Sequence, residues 1–437
     1  MDDGRRQRGT SPVSVHPGYV LVAVLLLAVN LRAAVTAMSP LLPRITPVIG
    51  LSGTEVGLLG ALPPFCFAAS ALLGPVLLRR LPAERLAILA LGLAAAGQLV
   101  RPWSGTAPTF LGLSVLALFG MGLGNVILPV LVKAWFPRWL GRITGFYVTA
   151  MVLGTAVPPV LAVPLADAVA AGTGSALTGW RVALATWAAF AGVAALPWLL
   201  TAAHPRTGAG AAPPSPVPSS GNHSGPSIAS SRTAWGVMLI FGVNSLNSYA
   251  LFAWLPVRLV DAGLTEATAG TVVALFAVVG VPAALLVPVI AARMRHQFPL
   301  VVAFSACWLT GLLGLLLAPA QGTLLWAAIT GAGGAGFPLA LTLIGLRTRD
   351  PVMAGRLSGF AQGVGYLGAG FGPLAVGALY DLTGTWGAPF AVLLSTVLPL
   401  LLGGWLAGRP RTVEDDLGVA GRGEDRIPFP PPDTLGR

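Results

Sequence analysis

Long apolar runs alternate with short polar segments along nearly the whole chain. The runs lie near residues 19–39, 54–78, 86–101, 108–133, 142–165 and 181–201, and again near 235–256, 268–291, 299–318, 323–346, 357–380 and 386–407. A helix crosses a bilayer with about 20 mostly apolar residues, so the pattern predicts twelve transmembrane helices in two groups of six. Between the groups lies a stretch containing Ala-Ala-Pro-Pro-Ser-Pro-Val-Pro-Ser-Ser-Gly. Such a composition cannot build a core and reads as a flexible linker. The expected plan is a tail over 1–18, a six-helix bundle over 19–201, a linker over 202–233, a second bundle over 234–407 and a tail over 408–437.

Composition supports an all-α integral membrane protein. Of 437 residues, 55% are hydrophobic and only 9% charged, against about a quarter charged in soluble domains. The net charge of +11 could suggest nucleic acid, but the cations sit in short clusters between apolar runs. That is a topology signal, and no nucleic-acid partner is expected. With both termini inside, 21 of the 26 Lys and Arg fall on the inner side, four (Arg44, Arg101, Arg181, Arg258) on the outer, and Arg32 within the membrane. The expectation is a multi-pass, monomeric protein of the cytoplasmic membrane with both termini and the linker cytoplasmic. The first run is too long for a signal-peptide core and contains Arg32. Cys66 and Cys307 lie inside apolar runs, and the four histidines lie at span ends, loops or tails. These residues support neither a disulfide framework nor a metal site, and no cofactor is expected.

The two halves repeat each other. Ala71-Leu72-Leu73-Gly74-Pro75-Val76 returns as Ala284-Leu285-Leu286-Val287-Pro288-Val289, and each is followed by a basic cluster, Arg79-Arg80 and Arg293-Met294-Arg295. Gly141-Arg142-Ile143-Thr144-Gly145-Phe146 returns as Gly355-Arg356-Leu357-Ser358-Gly359-Phe360, Pro159 as Pro373 and Asp167 as Asp381, at an offset of 213 or 214. Two parallel six-helix repeats joined by a linker resemble the major facilitator superfamily, in which the substrate site lies near the midplane between the halves. The loop Gly74–Arg85 is similar to that superfamily's loop between helices two and three, without its usual Asp. Asn30-Leu31-Arg32, Ser39-Pro40-Leu41-Leu42-Pro43 and Gly60-Ala61-Leu62-Pro63 resemble the branch containing cyanate and 2-nitroimidazole transporters. The resemblance implies a central cavity and transport by alternating access. It makes Arg79, Arg80, Arg142, Arg293 and Arg356 candidates for gating.

The chemistry centres on Arg32. A guanidinium within a span costs roughly 2.5–3.5 kcal/mol on insertion scales, and no acidic residue falls near the middle of a span. Either backbone and polar groups satisfy it for packing alone, or an anionic or strongly dipolar solute is its partner; its planar fork of donors suits carboxylates and similar anions. Thr36 lies one turn on along the same face, and Asn30 at similar depth. Asn244 and Asn247 in the seventh span read equally as helix–helix glue or as substrate contacts, with Tyr249 nearby. Asn125, Tyr147, Gln362 and Tyr366 complete the mid-span polar set. The glycine runs 120–124 and 331–336 lie inside spans with no preceding strand, so they predict close helix packing and not a dinucleotide loop. The same is expected of Gly141, Gly145, Gly355 and Gly359. Pro158, Pro159 and Pro373 mark kinks. Asp167 and Asp381 read as solvated or capping carboxylates.

The leading reading is a secondary transporter of a small anionic or polar solute, with Arg32 as the binding cation. An exporter of nitroimidazole or drug-like compounds and a non-transporting sensor are the alternatives. A membrane-embedded enzyme lacks the mid-span histidine or acid it would need.

Overall fold

The computed structural model describes residues 16–203, 226–349 and 351–418. The N-terminal tail, most of the expected linker and the end of the C-terminal tail lie outside the described residues. Twelve helical spans follow one another: α1 Pro17–Thr36, α2 Gly53–Leu78, α3 Ala83–Val100, α4 Ala107–Trp135, α5 Leu140–Thr173, α6 Ala176–Ala203, α7 Arg232–Asp261, α8 Glu266–Arg293, α9 Phe298–Leu317, α10 Thr323–Leu346, α11 Pro351–Thr383 and α12 Gly387–Ala407. Ten of these are long and apolar enough to cross a membrane, alongside the shorter apolar stretch Pro17–Ala33 of α1. The other, α11, is 33 residues long and carries Arg356 in its second turn and Asp381 in its last.

Helix starts follow ordinary capping chemistry. Ser52 and Glu55 form a capping box at the start of α2, while Ser231 and Thr265 cap α7 and α8 with their hydroxyls. Such caps satisfy the first amide groups, which have no partner within the helix. The prolines Pro158, Pro159 and Pro373 lie within α5 and α11, whose helices run on through them. By contrast, α8 is interrupted around Val279, α10 at Gly334 and α12 at Thr396.

The glycine runs pack helices, as their position inside spans predicts. A Cβ on Gly120 would sit 2.5 Å from the Ala90 carbonyl oxygen, while Gly122 abuts Ser70 and Gly124 abuts Leu31. These three glycines let α4 lie against α3, α2 and α1. In α10, Gly331 meets Phe276, Gly333 meets Trp308 and Gly336 meets Asn244. The same expectation fails for Gly145, Gly355 and Gly359, where an added Cβ would meet nothing within 4 Å. They lie on the half of the molecule nearest the chain ends, where α5 and α11 make no such close approach.

The two groups of helices meet mainly toward the other end of the molecule, the far end. There α2 lies along α11 and α5 along α8. A Cβ on Gly57 would sit 2.6 Å from the Pro373 carbonyl oxygen, and Gly270 is pressed equally against the carbonyl of Pro159. Gly57 and Gly270 are 213 residues apart, Pro159 and Pro373 are 214. The internal repeat thus builds two matching seams.

Candidate functional site

Arg32 lies four residues before the end of α1, within the cleft between the two groups of helices. Its Nη1 donates to the hydroxyl of Tyr249 on α7 at 3.0 Å, and its guanidinium stands 5.1 Å from the ring centroid of Phe67 on α2. The Tyr366 hydroxyl on α11 also interacts with it. Phe67, Tyr249 and Tyr366 form a mutual edge-to-face triangle with centroids 6.1–6.5 Å apart, and Phe241 backs Tyr366 at 4.9 Å. All three rings of the triangle are buried, yet Arg32 keeps accessible surface. Four helices from both groups therefore converge on one cation.

Magnitudes explain how the charge is tolerated. A desolvated cation–π contact contributes about 2 kcal/mol, and a hydrogen bond to a charged group about 1.5–3 kcal/mol. Together they are enough to offset the roughly 2.5–3.5 kcal/mol that an arginine within a span costs on insertion scales. The groups that offset the cost are neutral. Among the described residues no carboxylate forms an ion pair with Arg32, so its positive charge is held but not cancelled.

The other polar candidates divide clearly. The Thr36 hydroxyl donates to the Arg32 carbonyl oxygen at 3.3 Å, which ties it to the site's backbone. Gln362 sits one turn before Tyr366 on α11, with its amide donating to the Ser358 hydroxyl at 2.7 Å. Tyr147 is half-buried, and Asn125 donates to the Met121 carbonyl oxygen at 3.3 Å on its own helix. Asn30 is buried with neither side-chain polar atom hydrogen-bonded. Two residues apart on a helix means about 200° of rotation, so Asn30 projects away from the face that carries Arg32.

Asn244 and Asn247 are engaged elsewhere. Asn244 accepts from the Trp308 indole at 3.1 Å and donates to the Ile240 carbonyl at 2.8 Å; Asn247 and Thr396 exchange hydrogen bonds at 2.9 and 3.2 Å. These amides fix α7 to α9 and α12. Each amide thus spends one donor and one acceptor, at least one of them on a helix–helix contact, as the glue reading expects.

The five gating candidates lie at the end bearing the chain termini. Arg79, Arg80, Arg142 and Arg293 are exposed; Arg142 lies over the ring of Trp139 at 5.2 Å, and Arg356 donates to the Pro226 carbonyl at 2.9 Å. Among the described residues, none of the five forms an ion pair across the cleft. Polar contacts between the two groups of helices lie at the far end. Arg44, from the short helix Leu42–Ile49, donates to Asp167 at 2.6 Å and to Glu266 at 2.5 Å, bridging α5 and α8. Burial pulls the Arg44 pKa down, but its hydrogen bonds to Asp167 and Glu266, with their negative charges, outweigh it and hold the group above its ordinary value. Asp381 at the end of α11 accepts from the Thr54 N–H and hydroxyl, both at 2.7 Å, on the first turn of α2. A carboxylate at a helix N-terminus meets free amides and the favourable end of the dipole.

Sequence reasoning missed Phe67 and the Arg44 latch. Phe67 has no distinguishing signal beside Phe65 in the same apolar run. Arg44, Asp167 and Glu266 were each visible at span ends, but nothing in one dimension paired them.

The Major Facilitator Superfamily family model matches residues 24–330. The chain is 33% identical over 407 residues to the 2-nitroimidazole transporter of Escherichia coli (strain K12), covering 90% of this chain and 96% of that protein. It is 27% identical over 392 residues to the cyanate transport protein CynX of the same organism, covering 88% and 95%. Its fold is similar to the crystal structure of the D-xylose-proton symporter, with a TM-score of 0.72 at 15% identity over 90% of this chain and 98% of that one.

Proposed function

The chain belongs to the Major Facilitator Superfamily, and from that premise we propose that it moves a small anionic or strongly dipolar solute by alternating access, with Arg32 as the cation that binds it. It is a multi-pass membrane transporter, not an enzyme. The observation that carries the reading is the uncancelled charge. Arg32 retains accessible surface in the cleft and is held there by a ring face and phenol hydroxyls. A carboxylate partner would have made the site self-sufficient; without one, an entering anion gains the attraction of a guanidinium in a poorly screened setting. Tyr249 and Tyr366 come from the group of helices opposite Arg32, so the site is assembled from both halves and responds to their relative motion. In this reading the far end is shut and the end bearing the chain termini is the open side. The arginine bias supports a cytoplasmic setting for that side.

The relatives named for 2-nitroimidazole and cyanate fit the same chemistry, since both solutes are flat or linear and carry electron-rich oxygens or nitrogens. An exporter of nitroaromatic compounds is a second reading, favoured by the aromatic triangle, whose faces could stack on a planar ring.

The test is a thermal-shift screen of purified protein against cyanate, nitrate, short carboxylates and nitroimidazoles, repeated on Arg32→Gln. A ligand stabilises according to its concentration over its dissociation constant. The expected result is a stabilising ligand whose shift disappears in Arg32→Gln. Arg32→Lys is expected to fold yet transport poorly, because the charge stays while the fork geometry is lost. An unchanged shift in Arg32→Gln would remove Arg32 from the site. Uptake into proteoliposomes against efflux from cells separates import from export.

A further inference from the structure

A second guanidinium lies beyond the first. Arg101, at the far end of α3, is 1% exposed, and its backbone carbonyl is fixed by the Ser104 hydroxyl at 2.7 Å. It lines a small chamber with Ser39 and Ser114 on one side and Tyr249, Phe252 and Ala253 of α7 on the other. Ser39 is 2% exposed, and its hydroxyl has no hydrogen-bond partner. The chamber holds about 20 Å³, room for a single water. Its walls come from opposite sides of the cleft. Ser39, Arg101 and Ser114 belong to helices before residue 204, and the lid belongs to α7.

Tyr249 takes part in both places. Its hydroxyl accepts from Arg32, while its side chain closes the Arg101 chamber. Any motion that parts the halves at the far end must withdraw α7 from the chamber and loosen the Arg32 contact together. We propose that Arg101 and Ser39 form a second anion station, exposed when the far end is open, which takes a small carboxylate or inorganic oxyanion before Arg32 does. The guanidinium supplies planar donors and charge, and Ser39 supplies an unused hydroxyl donor. The proposal rests on the alternating-access reading, but its test does not pass through Arg32.

The test replaces Cys66 and Cys307 with serine and introduces Ser114→Cys as a reporter in membrane vesicles of both orientations. Labelling rates are measured with an anionic and a cationic methanethiosulfonate reagent and normalised to a free thiol in solution. Labelling is expected only from the far-end face, with the anionic reagent favoured by about threefold or more, as a local positive potential dictates. Millimolar acetate or nitrate should slow it. The preference should vanish in Arg101→Gln, persist in Arg101→Lys and persist in Arg32→Gln. A reporter that never labels, a rate ratio equal to that of the free thiol, or a preference lost in Arg32→Gln but kept in Arg101→Gln overturns the proposal. Should Arg101→Gln fail to fold, the ratio in the parent protein and the effect of acetate decide the matter. Failure of the Arg32 site alone would leave this ratio intact.

Discussion

The two seams at the far end share a backbone plan and differ in their side chains. In one, Gly57 of α2 meets Pro373 of α11; in the other, Gly270 of α8 meets Pro159 of α5. Each also carries a carboxylate from the repeat, Asp381 and Asp167. Here the likeness stops. Asp381 reaches directly onto the first turn of α2, whereas Asp167 reaches α8 only through Arg44, which also holds Glu266. The Pro373 carbonyl that meets Gly57 also accepts from the Trp254 indole of α7 at 3.0 Å, a bond within the second group of helices. Repetition therefore fixed where backbones can touch, because only glycine opposite a proline carbonyl admits that approach. The polar contacts were free to diverge, because a carboxylate near a helix start has several adequate partners.

The comparison can be broken most severely at the glycines. Gly57→Val and Gly270→Val should each disfavour the conformation closed at the far end by about 1–3 kcal/mol, the usual cost of overpacking. That is roughly a five- to 150-fold loss in the population of that state at about 0.6 kcal/mol per RT. Transport measured in proteoliposomes should fall accordingly in both variants while the protein still inserts. A large loss in one and none in the other would show that the seams are not equivalent.

The polar contacts sharpen the distinction with smaller effects. Asp381→Ala removes an acceptor from a helix start, worth about 0.5–2 kcal/mol. Arg44→Gln removes partly exposed ion pairs, worth about 0.2–1 kcal/mol each. Accessibility of a cysteine placed at the far end should rise more in Asp381→Ala. The Arg44→Gln effect should fade in high salt, which screens exposed charges over about 3 Å at 1 M. Equal, salt-independent effects would mean that Arg44 works by packing and not by charge.

The smallest effect concerns the opposite end. The short helix Val413–Leu417 is clipped there by Arg349 to Asp415, and by Asp416 to the Ser231 hydroxyl and Thr233 N–H at 2.8 Å. Hydrogen bonds from Thr412 and the charges of Arg349 and Arg411 hold Asp415 below its ordinary pKa. For Asp416, burial opposes the charge, but the bonds from Thr233 and Ser231, with Arg411, win. Both folded values are depressed. Their stabilisation is thus complete above the ordinary aspartate value, about 3.9, and is lost as pH falls through the lower folded values. Protection factors of the amides of residues 413–417, taken against intrinsic exchange at each pH, should hold at neutral pH and fall only below that ordinary value. A fall already at pH 6 would contradict it.

Much of the architecture was legible from the chain alone. The apolar runs match the helical spans to within a few residues at most ends, because the length of a membrane crossing is set by bilayer thickness and not by neighbours. The charge of Arg32 stood out for the same reason: an isolated cation in an apolar run is conspicuous whatever surrounds it. Asn244 and Asn247 were equally conspicuous but ambiguous, since a buried amide needs a partner and sequence does not say which. The five basic-end arginines were visible as a charge cluster, but the cross-half ion pairs of Arg44 were not, because an ion pair requires two side chains at one depth and one azimuth.

By itself, then, the sequence determined that this is a repeated, membrane-embedded helical transporter with one unmatched cation inside, since spans, repeat and charge are properties of residue order. Only the tertiary structure decided that Phe67, Tyr249 and Tyr366 surround that cation, that Arg44 and Asp381 link the two groups of helices at the far end, and that Tyr249 also lines the Arg101 chamber. Those facts depend on which helix faces meet across the cleft. Apolar helices with weak amphipathic bias leave their rotation unspecified until packing of small residues fixes it.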